Sequence, residues 1–255
     1  MSYLGLTRSL FNGAVKRIPY PVILEIGLDL GQTTLPIVQN LANSFDKFLY
    51  VGVDIRLRPE FTNQLMNYSG ITATIGNHLI INDNPDKKVA LYELNSLDFL
   101  KNINKELKFD FIWLDGDHNY YTVLNELKLL EQHVHDHTLI ICDDYSGRYS
   151  DKNGYYSEYK GYEDNVHVTK KETVIRHSKK QGVKPAIDDF VESESKLNWS
   201  IQNTTNEPCV LYRHDKIDVA MASLDLKGTD ILKNTSLHDV FLLKAKDESY
   251  QDFFK

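Results

Sequence analysis

Two apolar runs that each end in acidic residues, within residues 109–145, constrain the fold of this chain more than any other feature. The first run, Phe109–Leu114, continues into Asp-Gly-Asp-His, and the second, Thr138–Cys142, continues into Asp-Asp-Tyr. Between them, apolar side chains recur at the spacing of one helix face: Tyr120, Val123, Leu124, Leu127 and Leu130. A strand, a helix and a strand at this spacing predict a βαβ unit with two parallel neighbouring strands.

The acids after the two strands are expected to converge, because parallel neighbours end at the same edge of a sheet, about 5 Å apart. These acids are Asp115, Asp117, Asp143 and Asp144. Like charges this close repel one another unless a cation lies between them or one carboxylate keeps a proton. Carboxylate oxygens suit a hard divalent cation such as Mg²⁺ or Ca²⁺. The sequence therefore predicts a metal-dependent enzyme site at the carboxyl edge of a parallel sheet.

A glycine-containing turn follows the first predicted strand, Val22–Ile26. Gly27 and Gly31 allow a tight turn and close approach of a ligand to the backbone. The helix that follows offers free N–H groups and positive potential. The second predicted strand, Phe48–Val53, ends on Asp54, where an acid can bind ribose hydroxyls. The turn and Asp54 together predict a nucleotide-like cofactor beside the acids.

The rest of the sequence predicts one α/β domain with an extension at each end. Residues 1–20 have the pattern of a short amphipathic helix, residues 21–212 form the domain, and residues 213–255 form a tail. A polar insertion at 146–182 follows the second acid-ended strand, and six of the fifteen tyrosines lie at 145–162. Loops in this place commonly cover a site, so we predict a lid or an acceptor-binding loop.

Composition narrows the classes of protein that remain. The net charge of −7 argues against a general nucleic-acid binder, which usually carries a basic face. The sequence has no run of about 18 apolar residues, so no membrane span is predicted. It also has no signal-peptide pattern at its N-terminus. We therefore expect a cytoplasmic protein, and a homo-oligomer stays open.

Cysteines and histidines form two further groups. Cys142 and Cys209 lie in apolar strand-like runs, which predicts buried free thiols in a reducing compartment. His133, His135 and His137 alternate in a pattern that suggests zinc, but they precede the second acid-ended strand. They are expected at the opposite edge of the sheet from the acids, in a solvated loop.

Taken together, these motifs resemble those of class I S-adenosylmethionine (SAM)-dependent methyltransferases. The series Glu25-Ile-Gly27-Leu-Asp-Leu-Gly31, then Val53-Asp54, then Asn95-Ser96, is similar to that family's cofactor-binding series. The pair LDGDHNYYTVLNEL and LIICDDY resembles the macrocin/mycinamicin-type metal-dependent sugar O-methyltransferases, as does the later segment 182–190. With the predicted elements, the resemblance implies a Rossmann-like, doubly wound, mostly parallel sheet of seven strands. Its last strand is expected to be antiparallel. The third core strand is predicted at 89–94, and a final antiparallel pair at 199–204 and 209–212. Short strands at 71–75 and 79–81 are interpreted as a hairpin inserted in this core pattern.

The resemblance also implies a role for each matching residue. Glu25, Gly27 and Gly31 would line the methionine part of SAM. Asp54 would bind the ribose, and Asn95 and Ser96 would lie near the adenine. Residues that bind Mg²⁺ or another hard divalent cation would be Asp115, Asp143 and Asp144, and Asp115 would also lie beside SAM. Asp117 would be the general base, with His118 as the adjacent alternative. One departure is Asp29, which stands where many of these enzymes have a second glycine and can crowd or repel the cofactor.

The implied function is metal-assisted O-methylation of a small hydroxylated acceptor, such as a sugar. Two alternatives stay open from the sequence. One is a non-catalytic protein of the same fold that binds a ligand or partner through the tyrosine-rich insertion. The other is a methyltransferase that acts on a macromolecule, for which the acidic composition makes nucleic acid an unfavourable acceptor.

Overall fold

The computed structural model describes residues 20–154, 180–203 and 208–213. The predicted N-terminal helix, residues 155–179 of the insertion and residues 214–255 of the tail lie outside these ranges. Among the described helices, none has both the length and the apolar character needed to cross a membrane.

The described residues form nine strands and five α-helices. The strands are β1 Val22–Ile26, β2 Phe48–Asp54, β3 Thr72–Ile75, β4 His78–Asn82, β5 Lys87–Glu93, β6 Phe109–Leu114, β7 Val134–Cys142, β8 Trp199–Asn203 and β9 Cys209–Arg213. The helices are α1 Thr34–Ser44, α2 Pro59–Leu65, α3 Ser96–Asn102, α4 Tyr120–Leu130 and α5 Val183–Asp189.

All nine strands belong to one sheet, in the order β4-β3-β5-β2-β1-β6-β7-β9-β8. The six strands from β3 to β7 in this order run parallel, whereas β4, β9 and β8 each run antiparallel to the neighbour through which they join the sheet. The predicted fold class and the antiparallel final pair are confirmed. The predicted number of seven strands is wrong, because the β3–β4 hairpin joins the sheet along β5 over residues 72–75.

The two faces of the sheet carry separate hydrophobic cores, which makes the fold doubly wound. In β1, Ile23 faces the core built with α1 and α2, and Leu24 faces the core built with α3, α4 and α5. Both side chains are fully buried, as expected for a central parallel strand. The chain runs from β1 outward through β2 to β5 and returns to β6 on the other side of β1. The carboxyl ends of β1 and β6 therefore form the topological switch point where ligands bind in such sheets.

The three alternating histidines lie at the amino end of β7, at the opposite edge of the sheet from the acids. They do not form the predicted solvated loop, because β7 begins at Val134 and includes His135 and His137. His133 is fully buried, with Nδ1 3.0 Å from the Leu107 carbonyl oxygen. His135 lies 3.2 Å from the buried carboxylate of Asp110. His133 and His135 therefore contact groups of the protein's own interior, which favours a structural role.

Candidate functional site

The glycine turn after β1 is pressed against the end of β6. Gly27 has a φ of +89°, and a Cβ atom there would lie 2.0 Å from the carbonyl oxygen of Asp115. The Gly27 N–H donates to the Val53 carbonyl (2.9 Å), and the Asp115 N–H donates to the Ile26 carbonyl (2.8 Å). Any larger residue would both strain and clash. Glycine at position 27 is therefore required by the protein's own backbone, before any ligand is considered.

Gly31 has different surroundings. Its φ is +73°, and a Cβ atom there would lie 2.2 Å from the ring of Phe61 in α2. Its N–H donates to the Leu28 carbonyl (2.7 Å) and so closes the turn. Gly31 thus lets α2 pack against the turn, and its contact with a cofactor stays a prediction.

Asp54, at the end of β2, holds the turn from its other side. Its Oδ2 accepts hydrogen bonds from the N–H groups of Leu28 (2.7 Å) and Asp29 (3.0 Å), and its Oδ1 accepts one from Arg56 N–H (2.9 Å). Burial raises the pKa of Asp54, although these backbone hydrogen bonds favour the charged form. A carboxylate offers about four acceptor sites, so about one remains, and the contact of Asp54 with a ribose stays a prediction.

Asp29, where the resemblance would place a glycine, has a glycine-like backbone with a φ of +42°. Aspartate tolerates this left-handed region better than most residues. Its side chain is 63% exposed, and its carboxylate lies 4.0 Å from Arg58 Nε. The extra negative charge in the turn is therefore accompanied by an arginine.

Glu25 lies beneath the turn, with 1% of its surface exposed. Its carboxyl group accepts hydrogen bonds from the hydroxyls of Tyr50 and Thr34. Desolvation by burial raises the pKa of Glu25 to about 8, although these hydrogen bonds lower it. The neutral acid therefore predominates at neutral pH. The predicted contact of Glu25 with SAM stays a prediction.

The two residues predicted near the adenine open helix α3. Asn95 caps it, and its side-chain oxygen accepts a hydrogen bond from the Leu97 N–H (3.0 Å). Ser96 is the first helical residue. The preceding Leu94 was predicted as the end of a strand and not as part of the site. It is 46% exposed, and its N–H donates to the carbonyl of Asp54 (2.9 Å). A large apolar side chain thus lies open beside Asp54 at the carboxyl edge.

The acids after β6 and β7 meet around the imidazole of His118. The distance from His118 Nε2 to the nearest carboxylate oxygen is 3.4 Å for Asp115, 3.7 Å for Asp144 and 3.9 Å for Asp143. Ligand atoms of Asp115, His118 and Asp143 all lie within 4.8 Å of one another. Asp144 is the second acid after β7, and its backbone has a φ of +56°. We call these four residues the acid cluster.

Charge and burial in the acid cluster shift its proton affinities. Burial and the neighbouring carboxylate of Asp115 raise the pKa of Asp143 to about 8. Burial by itself would lower the pKa of His118, but the three carboxylates outweigh it and raise that pKa above its ordinary value. The cluster therefore holds protons when no metal cation is bound, as expected for carboxylates this close together.

Asp117, the predicted general base, is turned away from the acid cluster and toward the start of α4. Its Oδ2 accepts hydrogen bonds from the Thr122 hydroxyl (2.8 Å) and from the side-chain amide of Asn119. Its Oδ1 is buried and has no hydrogen-bond partner. Burial raises the pKa of Asp117 to about 6, although these hydrogen bonds lower it. The structure thus brings His118, and not Asp117, to the carboxylates of Asp115, Asp143 and Asp144.

Sequence reasoning missed Glu126, which lies behind the acid cluster on α4. It is 1% exposed, and desolvation raises its pKa to about 8, although a hydrogen bond with Ser96 lowers it. Glu126, Asp117 and Asp143 line one crevice with space for about one water molecule, and each has one buried oxygen without a hydrogen-bond partner. The sequence position of Glu126 could have indicated its burial, since residue 126 lies three residues after Val123 on the apolar face of the helix.

Residues 24–145 match a family model described as a methyltransferase domain. The comparison with curated proteins gave no match.

Several solved structures are similar to this chain. CalS11, a TDP-rhamnose 3'-O-methyltransferase of calicheamicin biosynthesis, has 10% identity and a TM-score of 0.48, over 83% of this chain and 79% of that one. PaMTH1 from Podospora anserina, with bound SAH, has 14% identity and a TM-score of 0.48, over 84% and 80%. MycE of mycinamycin biosynthesis, in complex with Mg, SAH and mycinamycin VI, has 14% identity and a TM-score of 0.44, over 80% and 48%. At these values none of them identifies the substrate of this chain.

The family match spans the glycine turn, Asp54 and the whole acid cluster. Residues 24–145, a little under half of the chain, are therefore similar to a methyltransferase domain.

Proposed function

We propose that this enzyme transfers the methyl group of SAM to a hydroxyl oxygen of a small acceptor, with the help of a hard divalent cation such as Mg²⁺. The observation that carries this proposal is the convergence of Asp115, Asp143 and Asp144 on one volume at the switch point of the sheet. The methyl group of SAM is attached to a positively charged sulfur, so the acceptor must supply a nucleophile. A neutral hydroxyl is a poor one, and a cation with a nearby base corrects this.

The acid cluster fits a hard cation. The Oδ1 atom of Asp143 is buried and has no hydrogen-bond partner, so this oxygen is available to a cation. The side chains of Asp115 and Asp144 offer further carboxylate oxygens, which are the ligands that Mg²⁺ prefers. These three residues would hold the cation. When bound, it would stabilise the developing alkoxide and orient the acceptor oxygen toward the methyl group.

His118 is the better placed of the two proposed proton acceptors. Its Nε2 faces the volume where an acceptor hydroxyl would bind beside the carboxylates. Its ring is held in place by stacking on Tyr149, with centroids 5.2 Å apart and an interplanar angle of 13°. Asp117 already accepts two hydrogen bonds from the start of α4. We therefore assign proton removal to His118 and the orientation of its loop to Asp117.

The cofactor would lie across the turn at Gly27, with its ribose on Asp54 and its adenine near Leu94, Asn95 and Ser96. The open side chain of Leu94 supports this placement, because an exposed apolar group beside the acid suits the face of a purine. Glu25 would influence the cofactor from beneath the turn, since its side chain is enclosed there.

The test compares binding with turnover. Isotope-labelled SAM is supplied with separate pools of hydroxylated small molecules, including sugars, and of proteins, with Mg²⁺ or with EDTA. We expect transfer to a small-molecule pool that EDTA abolishes and Mg²⁺ restores. The Asp143→Asn and Asp144→Asn variants should lose this transfer while calorimetry shows SAM affinity within about twofold of the unmodified enzyme.

Asp86→Asn is the matched control, because it also removes one aspartate charge, but at an exposed ion pair with Lys47. It should transfer methyl groups at the normal rate. Turnover that is unchanged by EDTA would exclude the metal role, and transfer only to proteins would exclude a small acceptor.

A further inference from the structure

Helix α5 contacts both loops that carry the acid cluster. Its last residue, Asp189, accepts a hydrogen bond from the Tyr120 hydroxyl (2.5 Å), and Asp188 accepts one from the Tyr145 hydroxyl (2.7 Å). Tyr120 lies two residues after His118, and Tyr145 directly follows Asp144. Two consecutive carboxylates thus hold two loops on one helix: the end of the loop after β6 (the β6 loop) and the start of the loop after β7 (the β7 loop).

Each of these hydrogen bonds is supported by a lysine. The Nζ atom of Lys184 lies 2.7 Å from Asp188 and 2.9 Å from the Tyr145 hydroxyl. The Nζ atom of Lys180 lies 2.6 Å from both carboxylate oxygens of Asp189. A neighbouring cation keeps a carboxylate ionised, and ionised acceptors make stronger hydrogen bonds than neutral ones.

A third set of contacts links the beginning of α5 to the acid cluster. The N–H of Val183 donates to the carbonyl of Tyr149 (2.9 Å), and the ring of Tyr149 stacks on His118. The preceding Gly182 has a φ of +89°, and a Cβ atom there would lie 2.4 Å from the Ser150 carbonyl oxygen. Close approach of α5 to this loop therefore depends on glycine.

We propose that Asp188 and Asp189 are positioning residues that hold His118 and the metal-ligating carboxylates in register by binding Tyr145 and Tyr120. The proposal rests on the proposed function for its effect on catalysis, but the positioning itself is independent of it. Catalytic groups must be held to within about 0.5 Å of their productive geometry, and hydrogen bonds from a second layer of residues supply this. The β6 and β7 loops come from different strands, so a shared helix is an effective way to hold them together.

The test measures the surroundings of His118 in the metal-free full chain. The chain has nine histidines, so its imidazole signal in ¹H–¹⁵N spectra is assigned with a His118→Gln variant. We expect the signal to move in Tyr145→Phe and in Tyr120→Phe, which remove only a hydroxyl. Tyr68→Phe is the matched control, because its hydroxyl donates to the Leu35 carbonyl (3.1 Å), outside the acid cluster and α5. It should leave the signal unchanged.

Kinetics then test the link to catalysis. Loss of one hydrogen bond to a charged group is expected to lower kcat about tenfold in either variant, with KM for SAM within about twofold. A purely structural role would instead lower thermal stability and leave kcat of the folded fraction unchanged. The Asp188→Asn variant keeps an acceptor oxygen and should retain kcat better than Asp188→Ala.

Each outcome has a defined meaning. A His118 signal that stays in place in both tyrosine variants overturns the proposal, whatever the enzyme methylates. A signal that moves, in a chain that shows no metal-dependent transfer, leaves the positioning role standing and refutes the proposed function. If Tyr145→Phe does not fold, the Asp188→Asn and Asp188→Ala pair supplies the same comparison from the helix side, and equal His118 signals in that pair overturn the proposal.

Discussion

The enclosed carboxyl group of Glu25 leads to a prediction about stability and pH. Replacement of Glu25 by glutamine keeps a carbonyl oxygen that can accept the hydrogen bonds of Tyr50 and Thr34. It removes the ionisable proton. Desolvation raises the pKa of Glu25 from 4.5 to about 8 on folding, although the hydrogen bonds of Tyr50 and Thr34 lower it.

The direction of the pKa shift determines how the contribution of Glu25 to stability changes with pH. Because the folded protein holds the proton more tightly than the unfolded chain, the contribution of Glu25 to stability is fully present below pH 4.5. It is lost as pH rises through the window up to about 8. Within the window the loss is about 1.4 kcal/mol per pH unit, which gives about 3 kcal/mol between pH 5 and pH 7.5. The Glu25→Gln variant lacks this loss.

Urea unfolding followed by circular dichroism measures the free energy of unfolding of both proteins across this range. The stability of Glu25→Gln relative to the unmodified chain should increase by about 3 kcal/mol from pH 5 to pH 7.5. Other buried acids, such as Glu126, are present in both proteins and cancel in the difference. The exposed Glu60 supplies the control, since Glu60→Gln should show a constant difference. Parallel curves for Glu25→Gln would refute the reasoning and show that Glu25 is ionised in the folded protein.

Two further predictions concern the backbone at position 27 and the opposite edge of the sheet. Gly27→Ala, at a φ of +89°, should destabilise the protein by more than about 2 kcal/mol, because its Cβ would meet the Asp115 carbonyl. Gly70→Ala, at a similar positive φ of +73° but with open space around its Cβ, should cost about 1 kcal/mol. Chemical denaturation measures both, and equal costs would contradict the steric argument. Asp110→Ala should cost about 3 kcal/mol, because it removes the buried carboxylate that accepts the hydrogen bond of the Val22 N–H and pairs with His135. Calorimetry should find its SAM affinity unchanged, and a weakened affinity would show that this edge acts on the cofactor site.

The order of strands and helices along the chain was predictable because it depends on local patterns. Alternation between apolar runs and helical spacing marked β1, β2, β6 and the βαβ unit from β6 to β7. The same patterns marked the acids Asp54, Asp115 and Asp143 at strand ends. Parallel strands end at one edge, so the gathering of acids followed from the order alone. The number of strands did not, because the pairing of β3 with β5 depends on contacts between distant residues.

Local patterns in the chain therefore predicted the class of fold, the edge of the sheet where the candidate site lies and the residue types present there. Packing between distant segments decided which of two adjacent candidates, Asp117 or His118, turns toward the carboxylates, because side-chain direction depends on partners such as Thr122 and Tyr149. It also decided that Glu25 is enclosed and that α5 binds the two acid-bearing loops. Burial and hydrogen-bond partners come from segments far apart in the chain, and no local pattern encodes them.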